Sequence, residues 1–209
     1  MFTGIVRARV PVVEVRLAPG LTRFSIDLPD GLTEGLELGA SVAVSGVCLT
    51  VAARDGCRVA FDAMEETLKL TTIGEIREGT LVNIERSMAF GDEICGHVVS
   101  GHVAGMADVV AVDRPENNHV VTFHAPSELM KYVFVKGFIA LDGASLTVVS
   151  VDRDRCTFTV CFIPETLRIT TFGLKGVGER VNVEVDPATR VMVETVERLL
   201  PEMLGRGGE

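Results

Sequence analysis

Two short polar motifs could support chemistry, and each occurs twice in the chain. Residues 46–50 read Gly-Val-Cys-Leu-Thr and return 97 positions later, at 143–147, as Gly-Ala-Ser-Leu-Thr. The glycines allow a turn or a close backbone approach. Cys48 and Ser145 place a small hydrogen-bonding group in the same slot, with a threonine on the same face of a strand two residues later. Residues 66–68, Glu-Thr-Leu, return at 165–167 and add a carboxylate and a hydroxyl. Such sets suit the rim of a small-molecule pocket.

The two copies differ at a few positions that matter for chemistry. The aligned pairs that differ are Ile5 and His102, Ser41 and Phe138, Cys48 and Ser145, and Glu65 and Pro164. Histidine is the residue type that can act as acid or base near neutral pH, so His102 is a candidate for that role. A lone histidine is more often a packed core residue, so this alternative is kept for His102. Cys48 is either a nucleophile or a small buried side chain.

A metal or nucleotide cofactor is not expected. Residues 95–97, Cys-Gly-His, together with His102 do not match a zinc-binding spacing, and a fourth ligand is not evident. The sequence also has no phosphate-binding loop and no dinucleotide fingerprint.

These motifs belong to a duplication that extends through the chain to about Asp186. Residues 41–51 correspond to 138–148, residues 62–74 to 161–173, and residues 82–85 to 181–184. A period near 100 residues is the size of a small domain rather than of a solenoid repeat. We therefore predict one domain over residues 1–97, a second over 98–186 and a tail over 187–209. Two like domains suggest chemistry on two copies of one ligand.

The apolar pattern within each half alternates with a period of two. Examples of such runs are residues 41–44, 49–52, 82–85, 120–123 and 157–160. Each half is expected to form about six short strands with one or two brief helices. Residues 31–38 and 126–133 are predicted to form a short helix or a turn. A closed barrel is favoured because closure removes exposed strand edges. The predicted class is all-β, with two tandem six-stranded barrels followed by a C-terminal helix.

The tail differs because its apolar residues follow a helical period. Val193, Val196, Leu199 and Leu200 form a stripe, and Asp186 is placed to cap the helix. The stripe either packs on its own barrel or bundles with copies from other subunits, and the sequence leaves both open.

Composition limits the classes of partner. The chain has 209 residues, a net charge of −9 and no basic stripe, which argues against binding to nucleic acid or to an anionic membrane. No apolar run reaches the ~18 residues of a membrane span, and the start does not resemble a signal peptide. Five cysteines without a CxxC motif predict reduced thiols and a cytoplasmic location.

Several motifs together resemble a known family. They are MFTGIV at the start, SGVCLTV, FDAMEETL, GHVVSGHV at the centre, KYVFVKGFIALDGASLTV and IPETL. The combination covers essentially the whole chain and is similar to riboflavin synthase of the alpha-chain type.

The resemblance implies Greek-key barrels, a homotrimer whose terminal helices pack together, and no cofactor or metal. It implies that two molecules of 6,7-dimethyl-8-ribityllumazine react by transfer of a four-carbon unit. The products would be riboflavin and 5-amino-6-ribitylamino-uracil. The active site would lie between the first barrel of one subunit and the second barrel of its neighbour. Association with lumazine synthase is also expected.

The resemblance also assigns site residues by motif. The first pocket would take Cys48, Leu49, Thr50, Asp62, Ala63, Met64, Glu65, Glu66, Thr67, Gly101, His102, Val103 and Lys136. The second would take Gly4, Ile5, Val6, Ser145, Leu146, Thr147, Cys161, Phe162, Ile163, Pro164, Glu165 and Thr166. Near the reacting carbons it places Ser41, Cys48, His102, Thr147 and Asp186. Ser45 and Glu65 depart from the family's usual asparagine and lysine.

Two other functions are weighed against the enzyme. A non-catalytic lumazine or flavin carrier, similar to the lumazine proteins of luminous bacteria, would share the duplicated barrels. A purely structural trimer would have no reason to keep matched polar rims. Both copies keep their polar motifs and His102 is present, so the enzyme is favoured.

Overall fold

The first half of the chain folds as one barrel. In a computed structural model that describes residues 1–116 and 118–206, its strands alternate inward apolar and outward polar residues. The strands are β1 (Ala8–Ala18), β2 (Leu21–Asp27), β3 (Ser41–Val44), β4 (Val47–Asp55), β5 (Arg58–Met64) and β6 (Leu81–Arg86). Helices α1 (Asp30–Thr33) and α2 (Glu65–Leu70) connect them, and a 3-10 turn follows at Thr72–Glu75.

The second half repeats this order of elements. Its strands are β7 (Gly105–Asp113), β8 (Val120–His124), β9 (Phe138–Leu141), β10 (Ala144–Asp152), β11 (Thr157–Cys161) and β12 (Arg180–Val185). Helices α3 (Ser127–Met130) and α4 (Pro164–Ile169) take the places of α1 and α2, and a 3-10 turn lies at Thr171–Gly173. The tail forms α5 (Pro187–Arg206).

Both sheets close into antiparallel barrels with the same strand order. The first runs β1-β2-β5-β4-β3-β6, and the second, read from β7, runs β7-β8-β11-β10-β9-β12. In each barrel the third strand pairs with the sixth rather than with the second, which is a Greek-key arrangement. The predicted fold class is therefore confirmed: two six-stranded barrels and a C-terminal helix.

Each barrel has its own apolar core. Phe24 and Phe61 face each other in the first, with ring centroids 5.5 Å apart. Phe123 lies between Phe158, at 5.4 Å, and Phe172, at 6.4 Å, in the second. These rings are almost fully buried, so each barrel stabilises itself largely by its own hydrophobic packing.

The barrels meet backbone to backbone at the two glycines of the duplicated motif. A Cβ atom on Gly46 would lie 2.6 Å from the amide nitrogen of Gly143, and one on Gly143 would lie 2.9 Å from that of Gly46. Their φ angles are +80° and +82°, in the region that glycine adopts with least strain. Only glycine fits this contact.

Two buried asparagines complete the seam between the barrels with equivalent hydrogen bonds. From the first barrel, Asn83 Nδ2 donates to the carbonyl of Asp142 (3.0 Å), and its Oδ1 accepts the amide of Thr171 (2.8 Å). From the second, Asn182 Nδ2 donates to the carbonyl of Ser45 (2.8 Å), and its Oδ1 accepts the amide of Thr72 (2.7 Å). Because buried amides need partners, these bonds fix the register of one barrel on the other.

A buried ion pair lies on one side of the seam. Asp142 is almost fully buried, and its Oδ2 lies 3.3 Å from Lys175 Nζ. Its Oδ1 accepts the amide of Asn182 at 2.8 Å. Burial raises the pKa of Asp142, and the nearby Lys175 ammonium opposes that rise.

Helix α5 begins where the sequence predicted. Asp186 Oδ2 accepts the amide of Thr189 (2.8 Å) and its hydroxyl (2.7 Å), so it caps the helix. Polar bonds tie the helix to the second barrel: Tyr132 Oη donates to Glu194 at 2.8 Å, and Lys131 Nζ to Glu197 at 2.5 Å. Exposed apolar side chains of the helix are those of Val191, Met192, Val196, Leu199 and Leu200.

The strands lie inside the expected domain ranges 1–97 and 98–186, whose boundary itself stays a prediction. Residues 207–209 of the predicted tail lie outside the described residues. Over residues 1–116 and 118–206, no helix combines the length and apolar character needed to cross a bilayer.

The seam predicts a difference between two glycine substitutions. Gly79 has a φ of +85° and no atom within 4 Å of its would-be Cβ, so Gly79→Ala should cost only the left-handed backbone strain, about 1–3 kcal/mol. Gly46→Ala adds the overlap with Gly143, so its free energy of unfolding should fall clearly further. Urea unfolding at a fixed protein concentration measures both, and equal losses would contradict the close contact.

Candidate active site

A cleft of about 200 Å³ opens at the end of the first barrel. Three pieces of the chain form it: β4, helix α2 and a segment from the start of the second repeat. The lining residues are Val47, Cys48, Glu66, Thr67, Leu70, Thr71, Gly101, His102 and Val103. A thiol, a carboxylate, hydroxyls and an imidazole thus meet on apolar walls, a combination typical of small-molecule sites.

His102 reaches this cleft because the first residues of the second repeat extend from the second barrel to the first. Glu184, on β12, accepts the amide and the hydroxyl of Ser100, both at 2.7 Å, and the amide of Gly101 at 2.9 Å. The carbonyl of Gly101 then accepts the amide of Cys48 at 3.0 Å. A segment anchored on the second barrel is thereby laid against the pocket strand of the first.

The start of the first repeat makes the equivalent crossing. Glu85, on β6, accepts the amide of Thr3 (2.6 Å), its hydroxyl (2.7 Å) and the amide of Gly4 (3.1 Å). The carbonyl of Gly4 accepts the amide of Ser145 at 2.8 Å. Burial raises the pKa of Glu85, and the hydrogen bonds from Thr3 and Gly4 oppose that rise.

Packing follows the same exchange. Val6 belongs to the core of the second barrel, and Val103 packs against the core of the first. Between them Phe2 and Val99 form a two-bond bridge, with N–O distances of 2.7 Å and 3.0 Å. Phe2 is fully buried, in a cluster with Val99, Ala43, Ala140 and half-buried Cys48. Each pocket strand is therefore covered by the start of the other repeat.

His97 distinguishes the second pocket motif from the first. Its Nδ1 lies 2.7 Å from Ser145 Oγ, its ring stacks on Phe138 with centroids 5.1 Å apart, and its buried Nε2 has no hydrogen-bond partner among the described residues. Desolvation lowers the pKa of His97, and the charge of Asp186 opposes this. The neutral form of the His97 ring is therefore favoured. Ser145 has this ring as a hydrogen-bond partner, whereas Cys48 shares its cleft with His102.

The five polar residues expected near the reacting carbons are not all neighbours in one chain. Cys48 and His102 line the same cleft. Ser41 opens β3, and its carbonyl accepts the Ser87 hydroxyl at 3.2 Å. Thr147 is exposed on β10 of the second barrel, and Asp186 caps α5. The last three lie outside the residues that line the cleft.

The remaining candidates for the first pocket are scattered around it. Thr50 is exposed beside Ser41, whereas Leu49 and Ala63 are buried in the core. Asp62 forms a two-bond ion pair with Arg23, at 2.6 Å and 2.7 Å, which lowers the pKa of the Asp62 carboxyl. Glu65 pairs with Lys69, and Met64 is 63% exposed. Lys136 belongs to the second barrel, where its amide donates to Val148.

Candidates for the second pocket show a similar division. Leu146 and Phe162 are buried, and the Phe162 ring packs against that of Phe172 in a tilted arrangement, with centroids 4.6 Å apart. Cys161 is exposed, as is Ile163, at 64%. Pro164 is at the start of α4, Glu165 pairs with Arg168, and the carbonyl of Thr166 accepts the amide of Thr170. Ile5 is half-buried beside Gly4.

Sequence reasoning missed Glu85, Glu184 and the two seam asparagines as functional supports. The repeated Val-Asn-(Ile/Val)-Glu runs predict strands, but alternation does not indicate what covers the outward face of a strand. That face is buried here by the other barrel and by the crossing segments. His97 was considered only as a metal ligand. Within the described ranges, no group of three or more His, Cys, Asp or Glu side chains is arranged to hold a metal ion.

Known proteins share this duplication. The lumazine binding domain family matches residues 3–87 and again residues 100–186. The chain is 48% identical over 201 residues to riboflavin synthase of Escherichia coli (strain K12), covering 96% of this chain and 93% of that protein. It is 50% identical over 200 residues to riboflavin synthase of Chlamydia pneumoniae, covering 96% and 97%.

Solved structures agree with these matches. A crystal structure of LumP complexed with 6,7-dimethyl-8-(1'-D-ribityl) lumazine is similar, with a TM-score of 0.79 and 26% identity, covering 88% of this chain and 99% of LumP. LumP complexed with riboflavin gives a TM-score of 0.81 and 27% identity, covering 89% and 100%. With near full-length identity to riboflavin synthases and a lumazine binding domain in each half, the chain belongs to the riboflavin synthase family of enzymes.

Proposed function

We propose that the protein converts two molecules of 6,7-dimethyl-8-ribityllumazine into riboflavin and 5-amino-6-ribitylamino-uracil. One molecule gives up a four-carbon unit and the other accepts it. The near full-length similarity to riboflavin synthases carries this proposal. The duplicated pocket motifs support it, because a reaction between two identical substrates needs two similar sites that differ in their polar side chains.

The main contribution of the protein to this reaction is to position the two substrate molecules. The C7 methyl group of the lumazine is acidic because its carbanion delocalises into the pteridine ring. Holding two such rings face to face supplies most of the advantage as proximity. His102, in the cleft with Cys48, is the residue we assign to proton movement. Backbone groups and hydroxyls such as that of Thr67 would read the pteridine edge and the ribityl chain.

The complete site is proposed to form between the first barrel of one subunit and the second barrel of its neighbour. Met64 and Ile163 support this. They directly precede helices α2 and α4, at equivalent positions of the two repeats. They are 63% and 64% exposed in the single chain. Large apolar side chains beside a polar rim are suited to cover by a ligand or a neighbouring chain.

A homotrimer held by α5 would bring the barrels of neighbouring chains together. The exposed apolar side chains of α5, which include Val196, Leu199 and Leu200 of the predicted stripe, support this. The contacts of α5 with Tyr132 and Lys131 are polar and leave these side chains uncovered. The five free cysteines are compatible with a cytoplasmic location, which we also propose. Association with lumazine synthase, which would supply the substrate, stays a prediction.

Turnover is the direct test. The purified protein should convert 6,7-dimethyl-8-ribityllumazine into riboflavin and 5-amino-6-ribitylamino-uracil in equal amounts, without added metal or cofactor, as measured by absorbance and chromatography. Tight binding without turnover would overturn the proposed enzyme activity and favour a non-catalytic lumazine carrier; LumP, solved in complex with the same lumazine, has a similar fold.

His102→Gln should lower kcat by about 10²-fold, because glutamine keeps a polar side chain but cannot exchange a proton near neutral pH. The pH dependence of kcat should lose a limb that the unchanged protein shows. His124→Gln is a control, since His124 is on β8 of the second barrel near Asp108 and away from the cleft. An unchanged kcat and pH profile in His102→Gln would remove the proposed role.

Removal of residues 187–209 tests the trimer. The two barrels have their own cores, so the shortened chain should stay folded, with the circular dichroism spectrum of a β protein. Its mass by light scattering should fall from three chains to one, because the apolar stripe of α5 is gone. A trimer that survives the truncation would show that other surfaces hold the subunits together.

A further inference from the structure

Two buried carboxylates have no part in the proposed chemistry. Glu85 on β6 and Glu184 on β12 are each 4% exposed, and both lie outside the residues that line the cleft. They occupy equivalent positions in the two repeats. A buried charge is costly, so it is retained where it is well hydrogen-bonded.

Each carboxylate receives three hydrogen bonds from two consecutive residues, two from backbone amides and one from a hydroxyl. Glu184 Oε1 takes the amide and hydroxyl of Ser100, and Oε2 takes the amide of Gly101. Glu85 binds Thr3 and Gly4 in the same way. A bidentate acceptor of this kind fixes both the position and the orientation of the two peptide groups it binds.

The turn held by Glu184 is the one that reaches the first pocket. Gly101 packs so closely on Cys48 that a Cβ atom would lie 2.5 Å from the Cβ of Cys48, and its carbonyl accepts the Cys48 amide. His102 and Val103 follow directly and line the cleft. The backbone at Gly101 is left-handed, at φ +82°. Because His102 is the next residue, the position of this turn sets the position of His102.

The turn held by Glu85 reaches the other pocket motif. A Cβ atom on Gly4 would lie 2.6 Å from the Cβ of Ser145, and the Gly4 carbonyl accepts the Ser145 amide. Gly4 is also left-handed, at φ +74°. The two arrangements are equivalent, but the carboxylate and the pocket always belong to different barrels.

We propose that Glu184 is a positioning residue for the pocket of the first barrel and Glu85 for the pocket of the second, so that each ligand site is set by a carboxylate of the opposite barrel. The identity of the ligand rests on the proposed function. The assignment of each carboxylate to the pocket of the opposite barrel rests on the hydrogen bonds. A merely structural role would predict loss of stability with no preference between the pockets, or damage in the barrel that carries the substitution.

The test uses two matched substitutions in the full-length protein. Glu184→Gln replaces one acceptor oxygen by an NH₂ group, which cannot accept the Ser100 or Gly101 amide that it would face. Glu85→Gln makes the same change at Thr3 and Gly4. Riboflavin serves as the probe because it does not turn over alone, and threonine-methyl NMR of Thr67 and Thr166 reports the two pockets separately.

Glu184→Gln should weaken riboflavin binding at Thr67 by about tenfold or more, the effect expected from loss of one charge-assisted hydrogen bond, and leave Thr166 unchanged. Glu85→Gln should do the reverse. Weakening at the pocket of the same barrel, equal weakening at both, or no weakening in either variant would overturn the proposal.

Amide hydrogen exchange tests, without any ligand, whether each carboxylate supports the pocket strand of the opposite barrel. The Cys48 amide should exchange at least about tenfold faster in Glu184→Gln, and the Ser145 amide should do so in Glu85→Gln, each with the other amide unaffected. If the unchanged protein neither bound riboflavin nor turned over the lumazine, the proposed function would fail while this measurement still decided the crossing. Parallel changes at both amides would contradict it.

Discussion

The contact between Gly46 and Gly143 is the constraint on which the rest of the molecule depends. Two backbones approach so closely that neither position has space for a side chain. Asn83 and Asn182 then lock the barrels in register by bonding to backbone groups across the seam. Since buried polar groups must be paired, sliding or separating the barrels would leave several of them unsatisfied.

That fixed seam makes the exchange of chain starts possible. The turns at Gly4 and Gly101 must each bond to a carboxylate on one barrel and to a pocket strand on the other. Such bonds hold only if the distance between barrels is constant, as rigid packing ensures. The barrels are thus one functional unit, although each has its own core. On this shared frame, Cys48 lies beside the turn before His102, whereas Ser145 meets His97, so two similar pockets acquire different chemistry.

Much of this architecture is predictable from local patterns. Period-two alternation identified strands that the structure contains, because inward residues such as Phe123 and Val160 must be apolar in a small barrel. The apolar stripe and Asp186 likewise predicted α5. Alternation does not indicate that Glu85 and Glu184 are buried, because the other barrel and the crossing segments cover them. The pattern records only which face a side chain occupies; what covers that face is set by residues distant in sequence.

The sequence by itself determined the duplication, the two barrels, the helix and the family, because these follow from local periodicity and from motifs spread along the chain. Only the tertiary structure decided that each repeat lends its first residues to the other. Thr3 and Glu85 are 82 positions apart, and Ser100 and Glu184 are 84 apart, so no local pattern connects them. The placement of His102 beside Cys48 has the same origin, because the turn before His102 is bonded both to Glu184 of the second barrel and to Cys48 of the first, and these residues are far apart in sequence.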